Sequence, residues 1–172
     1  HEAIDFYHRY PEDLALFQIE TSLLKRALIS SGGEQLGLMS DFTAVRGARR
    51  AGMSANAVRY EDSMEAMEGS AEYVGVRSLL PPEAGKNHSL LAAPFVWERW
   101  DLLNLVNSTD ASRYYMSGSL QMFVLDSLNI PWKNRLQNGR PISGIVGEYF
   151  GKGAAALADL KEEFGYKGLV EV

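Results

Sequence analysis

A chain of 172 residues with 46% hydrophobic and 23% charged residues has the make-up of one globular domain able to bury a core. Its net charge of -5 leaves no basic footprint for nucleic acid, and no apolar run approaches the roughly 18 residues of a membrane span. The absence of cysteine excludes disulfides and thiolate metal sites and leaves the compartment open.

In chain order, the first stretch is HEAID. Zinc hydrolysis needs three protein ligands, a water in the open position and a carboxylate to take that water's proton. Two ligands four residues apart on a helix share one face, and a glutamate beside the first can act as general base. His1 and Asp5 have that spacing, and Glu2 has the position of the base. His8 lies on nearly the same face. In the zinc-peptidase pattern HExxH a second histidine stands where Asp5 stands here, and a His-Glu pair by itself also reads as an ordinary helix start.

Beyond HEAID, apolar residues recur mainly at helical spacing. Leu14, Phe17, Leu24 and Leu28 define a helix over 12–29 that starts at Pro11, a favoured first-turn position, and Ser30-Ser31-Gly32-Gly33 ends it. Residues 41–50 read as a shorter helix with an arginine-rich outer face. Ser54 can cap a long helix running to about Leu80, stopped by Pro81-Pro82. The segment 81–89 (PPEAGKNHS) is the clearest loop and the best place for a substrate-facing connection; His88 within it reads as solvated. Phe95, Trp97, Trp100 and Trp132 read as core. Helices are expected over 112–128, closed by NIPW, then around 143–150 and 154–164, with GYKGLVEV as an extended tail or edge strand. The expectation is a mainly helical single domain over 1–172.

The long helix contains Glu65, Glu68, Gly69, Ala71 and Tyr73 in the order ExxEGxAxY. Read plainly, Glu61, Glu65, Glu68 and Glu72 form one solvated acidic face. That reading leaves Gly69 unexplained, since a mid-helix glycine costs about 1 kcal/mol relative to alanine. At this point the sequence resembles the gluzincins, zinc metallopeptidases that combine HExxH with a glutamate ligand on a later helix. The resemblance implies that Glu68 is the third metal ligand, that Glu65 orients a ligand from behind, and that Gly69 and Ala71 let this helix press against the HExxH helix.

A third stretch, 112–146, is similar to bacterial gluzincin-like families in Tyr115, Gly118, Leu125-Asp126, Leu128 and Trp132-Lys133. In related enzymes a tyrosine or histidine donates to the developing oxyanion. Tyr115 fits that role by position, with Tyr114 and Arg113 as substitutes, beside the plainer reading of core tyrosines with bonded hydroxyls.

The resemblance covers roughly residues 1–150 and implies a zinc-dependent peptidase acting on a peptide or protein substrate. This chain would be the C-terminal, helical part of the domain, its HExx(H/D) helix packed on the glutamate-bearing helix and a β-rich portion lying upstream. Metal ligands would be His1, Asp5 and Glu68, with Glu2 and Tyr115 in catalysis. Asp5 leaves three readings open: an altered but working metal site, a substitution that silences the site, or an inactive domain kept as a peptide- or protein-binding module. A ligand set with two carboxylates favours hard cations relative to zinc and makes a bound water less acidic.

Overall fold

Pro11 opens the first helix of the computed structural model, which describes residues 11–80, 98, 113–151 and 157–170. His1, Glu2, Asp5, His8, the 81–89 loop with His88, and Phe95, Trp97 and Trp100 lie outside the described residues. Helix α1, Pro11–Ile29, carries Glu12 and Asp13 in its first turn and Arg26 in its last, the arrangement that complements the helix dipole. Its buried Ala15, Phe17, Ile19, Leu23, Leu24, Ala27 and Leu28 point to more than one side, because the helix packs against two others, α2 (Gly32–Ala51) and α4 (Arg113–Ser127).

Helix α2 begins earlier than the sequence suggests. Ser30-Ser31 does end α1, but Gly32 and Gly33 belong to the next helix. Gln35, Leu38, Met39, Phe42 and Val45 are buried at helical spacing, and that burial outweighs the weak helix propensity of the glycines among them. The arginine-rich face is a second correction: Arg46 and Arg49 are buried, at 5% and 3% exposure. They turn inward because carboxylates on α1 and α3 meet them there.

Helix α3, Ala55–Leu79, starts as expected, with Ser54 Oγ accepting from the Ala57 N–H at 3.2 Å. Helix α4 ends in a Schellman motif. Asn129 takes the left-handed conformation (φ 55°), its N–H donates to the Asp126 carbonyl, and the Ile130 N–H donates to the Leu125 carbonyl at 2.9 Å. Pro131 then prevents the helix from resuming.

Short helices α5 (Lys133–Gln137), α6 (Ile142–Phe150), α7 (Leu157–Glu163) and α8 (Tyr166–Val170) complete the described chain. Ile142, Ile145 and Val146 seat α6 in the core, and Trp132 joins the core as expected. The Ser40 and Thr43 hydroxyls donate to the carbonyls of Phe150 and Gly151, fixing the end of α6 to α2. The C-terminal stretch is a correction: residues 166–170 are helical rather than extended, after a break at Gly165 (φ 62°). The fold is mainly α, with no strand among the described residues.

Helices α3 and α4 approach each other backbone to backbone. A Cβ built on Gly69 would lie 2.6 Å from the Gly118 Cα, and one on Gly118 would lie 2.5 Å from the Glu65 carbonyl oxygen. Only glycine at both positions lets the backbones meet this closely. Gly69 is therefore explained by its contact with α4, while Ala71 is exposed and presses on nothing described.

Candidate site on helices α3 and α4

Four glutamates of α3 have separate fates, set by where the helix turns them. Glu61 and Glu65 face α1 and α2 and are fully buried. Arg46 grips Glu65 through two nitrogens, at 2.9 and 2.7 Å, and the Ser117 hydroxyl donates to the same carboxylate at 2.7 Å. Arg49 holds Glu61 in the same forked way, at 2.8 and 3.0 Å, with Arg50 and Arg113 adding bonds at 3.0 and 3.1 Å. Glu20 on α1 receives Arg46 and Arg49, and Asp13 receives Arg49. Asp13, Glu20, Glu61 and Glu65 thus face Arg46, Arg49, Arg50 and Arg113 in one largely buried network, and Asp62 meets Arg50 at its edge at 3.0 Å.

Burial works against the ionised form of each acid, and the outcome depends on how many guanidiniums each one meets. At Glu61 burial pushes up, but Arg49, Arg50 and Arg113 outweigh it and hold the carboxyl well below the usual range. At Glu65 burial is likewise overcome, by Arg46 and then Arg50, and the carboxyl is lowered. At Asp13 burial wins over Arg49 and Arg113, and the carboxyl is raised.

This corrects the solvated acidic face. Glu61, Glu65 and Glu72 are buried, and the lone pairs of Glu65 are engaged by Arg46 and Ser117, so it is a structural anchor and orients no ligand seen in the described residues.

Glu68 differs. One turn beyond Glu65 and next to Gly69, it is partly buried, and its carboxylate acts on the Tyr115 hydroxyl of α4. It pairs with no lysine or arginine among the described residues. Glu68, then partial burial and the charge of Glu72, push the Tyr115 hydroxyl up. Tyr114 and Arg113 are no substitutes for Tyr115: both are buried, Arg113 over the Phe17 ring and Tyr114 edge-on to Phe17 and Tyr60.

The rest of the third motif has a structural use. Asp126 accepts from the Tyr73 hydroxyl and from Trp132 Nε1 at 2.8 Å, with Lys133 at 3.6 Å. Burial, then the bond to Asp126, pushes the Tyr73 hydroxyl up.

Of the expected site residues, the fold brings Glu68 and Tyr115 together; His1, Glu2 and Asp5 fall outside the described residues. No group of three His, Asp or Glu side chains among the described residues could hold a metal ion. The described part therefore supplies fewer than three ligands. Glu68 suits that role chemically, being a partly buried carboxylate with lone pairs available for a cation. Sequence reasoning missed Arg46, Arg49 and Ser117 as partners of the α3 glutamates. The available signal was arginines at i and i+3 in one helix facing glutamates at i and i+4 in the next. Comparison with protein-family models, curated proteins and solved structures gave no match.

Proposed function

We propose that the chain is a gluzincin-like metallopeptidase domain in which His1, Asp5 and Glu68 hold a divalent ion, zinc by preference of the motif, and a peptide is hydrolysed beside it. The observation that carries this reading is the meeting of Glu68 and Tyr115. These residues come from two motifs far apart in sequence, and Glu61 and Glu65 on the same helix are held by guanidiniums whereas Glu68 meets none among the described residues. A bound zinc would supply Lewis acidity to the peptide carbonyl and to a water. Glu2 takes the proton of the attacking water and passes it to the leaving amine. Asp5 and Glu68 bring two negative charges to the site, which favours a less selective choice of divalent ion.

Met67 and Val74, with 61% and 62% exposure, form with Ala71 an uncharged strip of α3 beside Glu68. The same strip supports the reading of a peptide-binding module should no metal bind.

Hydrolysis of a mixed peptide library by the zinc-loaded full chain tests the proposal. Cleavage that falls by about 10²–10⁴-fold in Glu2→Gln, with zinc retained, is expected. Absence of cleavage by the zinc-loaded chain, or full activity in Glu2→Gln, contradicts it.

A further inference from the structure

Helix α3 turns one uncharged row outward. Ser63, Met67, Ser70 and Val74 follow one another at spacings of four, three and four residues, which keeps them on one side of the helix, and none is buried. At its start the row opens into a groove of about 310 Å³ between α3 and the turn from α5 to α6. Arg59, Asp62, Ser63 and Ala66 wall it on one side and Arg140 and Pro141 on the other. Both walls are fixed. Gly139 takes φ 83° and the Arg140 N–H donates to the Arg135 carbonyl at 3.0 Å, which closes the turn on α5. The Ser143 hydroxyl donates to Asp62 at 2.6 Å and ties α6 to α3.

The charges at this groove are one-sided. Asp62 is matched from behind by Arg50 at 3.0 Å as well as by Ser143. Arg135 and Arg140 both bond the single carboxylate of Glu148. Arg59 bonds the Asn56 amide oxygen and has no carboxylate partner among the described residues. Three guanidiniums thus share one carboxylate at the rim, in a chain whose net charge is -5. A guanidinium takes up a carboxylate through paired N–H donors, and an uncharged row beyond it receives apolar side chains without burying a charge. At 1.5 Å per residue, Arg59 to Val74 spans about 22 Å, the reach of about seven extended residues. We propose that the groove and the row form one docking surface for an acidic–apolar segment of a partner protein, its carboxylate between Arg59 and Arg140 and its apolar side chains along Met67 and Val74. The proposal uses no metal ligand, and it gives the exposed strip of α3 a partner of stated chemistry.

Titration of the isotope-labelled, metal-free full chain with a capped peptide, Glu-Glu-Ser-Leu-Ser-Val-Ser, tests it through backbone amide shifts. Saturable binding with a Kd below about 1 mM is expected, with the shifted amides falling in 59–74 and 139–141. Arg59→Gln and Arg140→Gln should each weaken it about tenfold, as should glutamine in place of the two glutamates of the peptide. Val74→Glu should weaken it as much, by placing a like charge on the row. All three positions are exposed, so the variants keep the fold. Lys133→Gln, which removes an exposed cation outside the groove, should leave binding unchanged. Shifts that fall elsewhere, no saturation at several millimolar, or equal loss in Lys133→Gln overturn the proposal. So does a peptide that binds no better than inorganic phosphate and no worse when its leucine and valine are replaced by serine, since the surface is then an anion site alone. Because the chain is metal-free throughout, none of these outcomes depends on whether it cleaves peptides.

Discussion

Arg46 on α2 reaches Glu65 on α3 with a two-point fork, Nη1 to Oε2 at 2.9 Å and Nη2 to Oε1 at 2.7 Å, both side chains buried. The planar guanidinium matches a carboxylate in this way and lysine cannot. Because Arg46 also bonds Glu20 on α1 and Gln121 on α4, one side chain ties four helices together.

Breaking the fork from one side leaves buried charges without a partner. Arg46→Ala is expected to destabilise the fold by about 3–5 kcal/mol in urea unfolding, since Glu65 loses its guanidinium fork and Glu20 one of its two guanidiniums. The paired replacement Arg46→Met with Glu65→Met should be milder than Arg46→Ala, because it removes charge from both sides. A double variant less stable than Arg46→Ala would contradict this account.

Two glycines of α3 should respond oppositely to alanine. At Gly75 nothing lies within 4 Å of a new Cβ, so Gly75→Ala should raise stability by up to about 1 kcal/mol. At Gly69 the new Cβ would strike α4 backbone, so Gly69→Ala should cost about 1–3 kcal/mol despite its better helix propensity. Thermal melting of the two variants checks the difference in sign.

Acid should unfold the protein through Glu61 and Glu65. Both carboxyls are lower in the folded chain than their ordinary value of 4.5, so their stabilisation is full above that value and is lost as pH falls below it. Asp13 acts in the opposite sense. Its folded carboxyl is raised above 3.8, so its contribution is greatest when protonated and declines as pH rises through the raised value. The two guanidinium-held glutamates should dominate, giving near-constant stability above about pH 5 and a steep loss below about pH 4. Glu61→Gln should be less stable at neutral pH with a shallower acid limb, measured by urea unfolding across the pH range.

Asp126 should prove structural. Asp126→Ala removes the acceptor of the Tyr73 hydroxyl and the Trp132 indole, leaving two donors beside the core and costing about 2–4 kcal/mol. Metal content and peptide cleavage of the folded variant should be unchanged, and a variant of normal stability would remove this role.

The helical class was legible because the apolar spacing of α1, α3, α4 and α6 is strong and Ser54 and Pro11 mark two starts. The start of α2 was not, because Gly32, Gly33 and Gly37 have the local chemistry of a turn and only the burial of Gln35, Leu38 and Met39 between them and beyond makes the stretch helical. Arginines at 46 and 49 read as solvated for a similar reason: their partners are brought near by tertiary packing, and Glu20 lies 26 residues from Arg46 in sequence. Gly165 gave the signal for a break but not for the helical turn after it. In the candidate site, the pattern around Glu68 carried a legible structural signal, because Gly69 marks where α3 touches α4. The same pattern could not show that Glu65, in an equally prominent position, is engaged by Arg46.

The central claim is that Glu68 belongs to a metal site, and elemental analysis of the full chain purified without chelator tests it most directly. About one zinc or other divalent ion per wild-type chain is expected, with most of it lost in Glu68→Ala and retained in Asp126→Ala. A wild-type chain that stays free of metal after incubation with zinc, or a Glu68→Ala chain that keeps it, would contradict the claim.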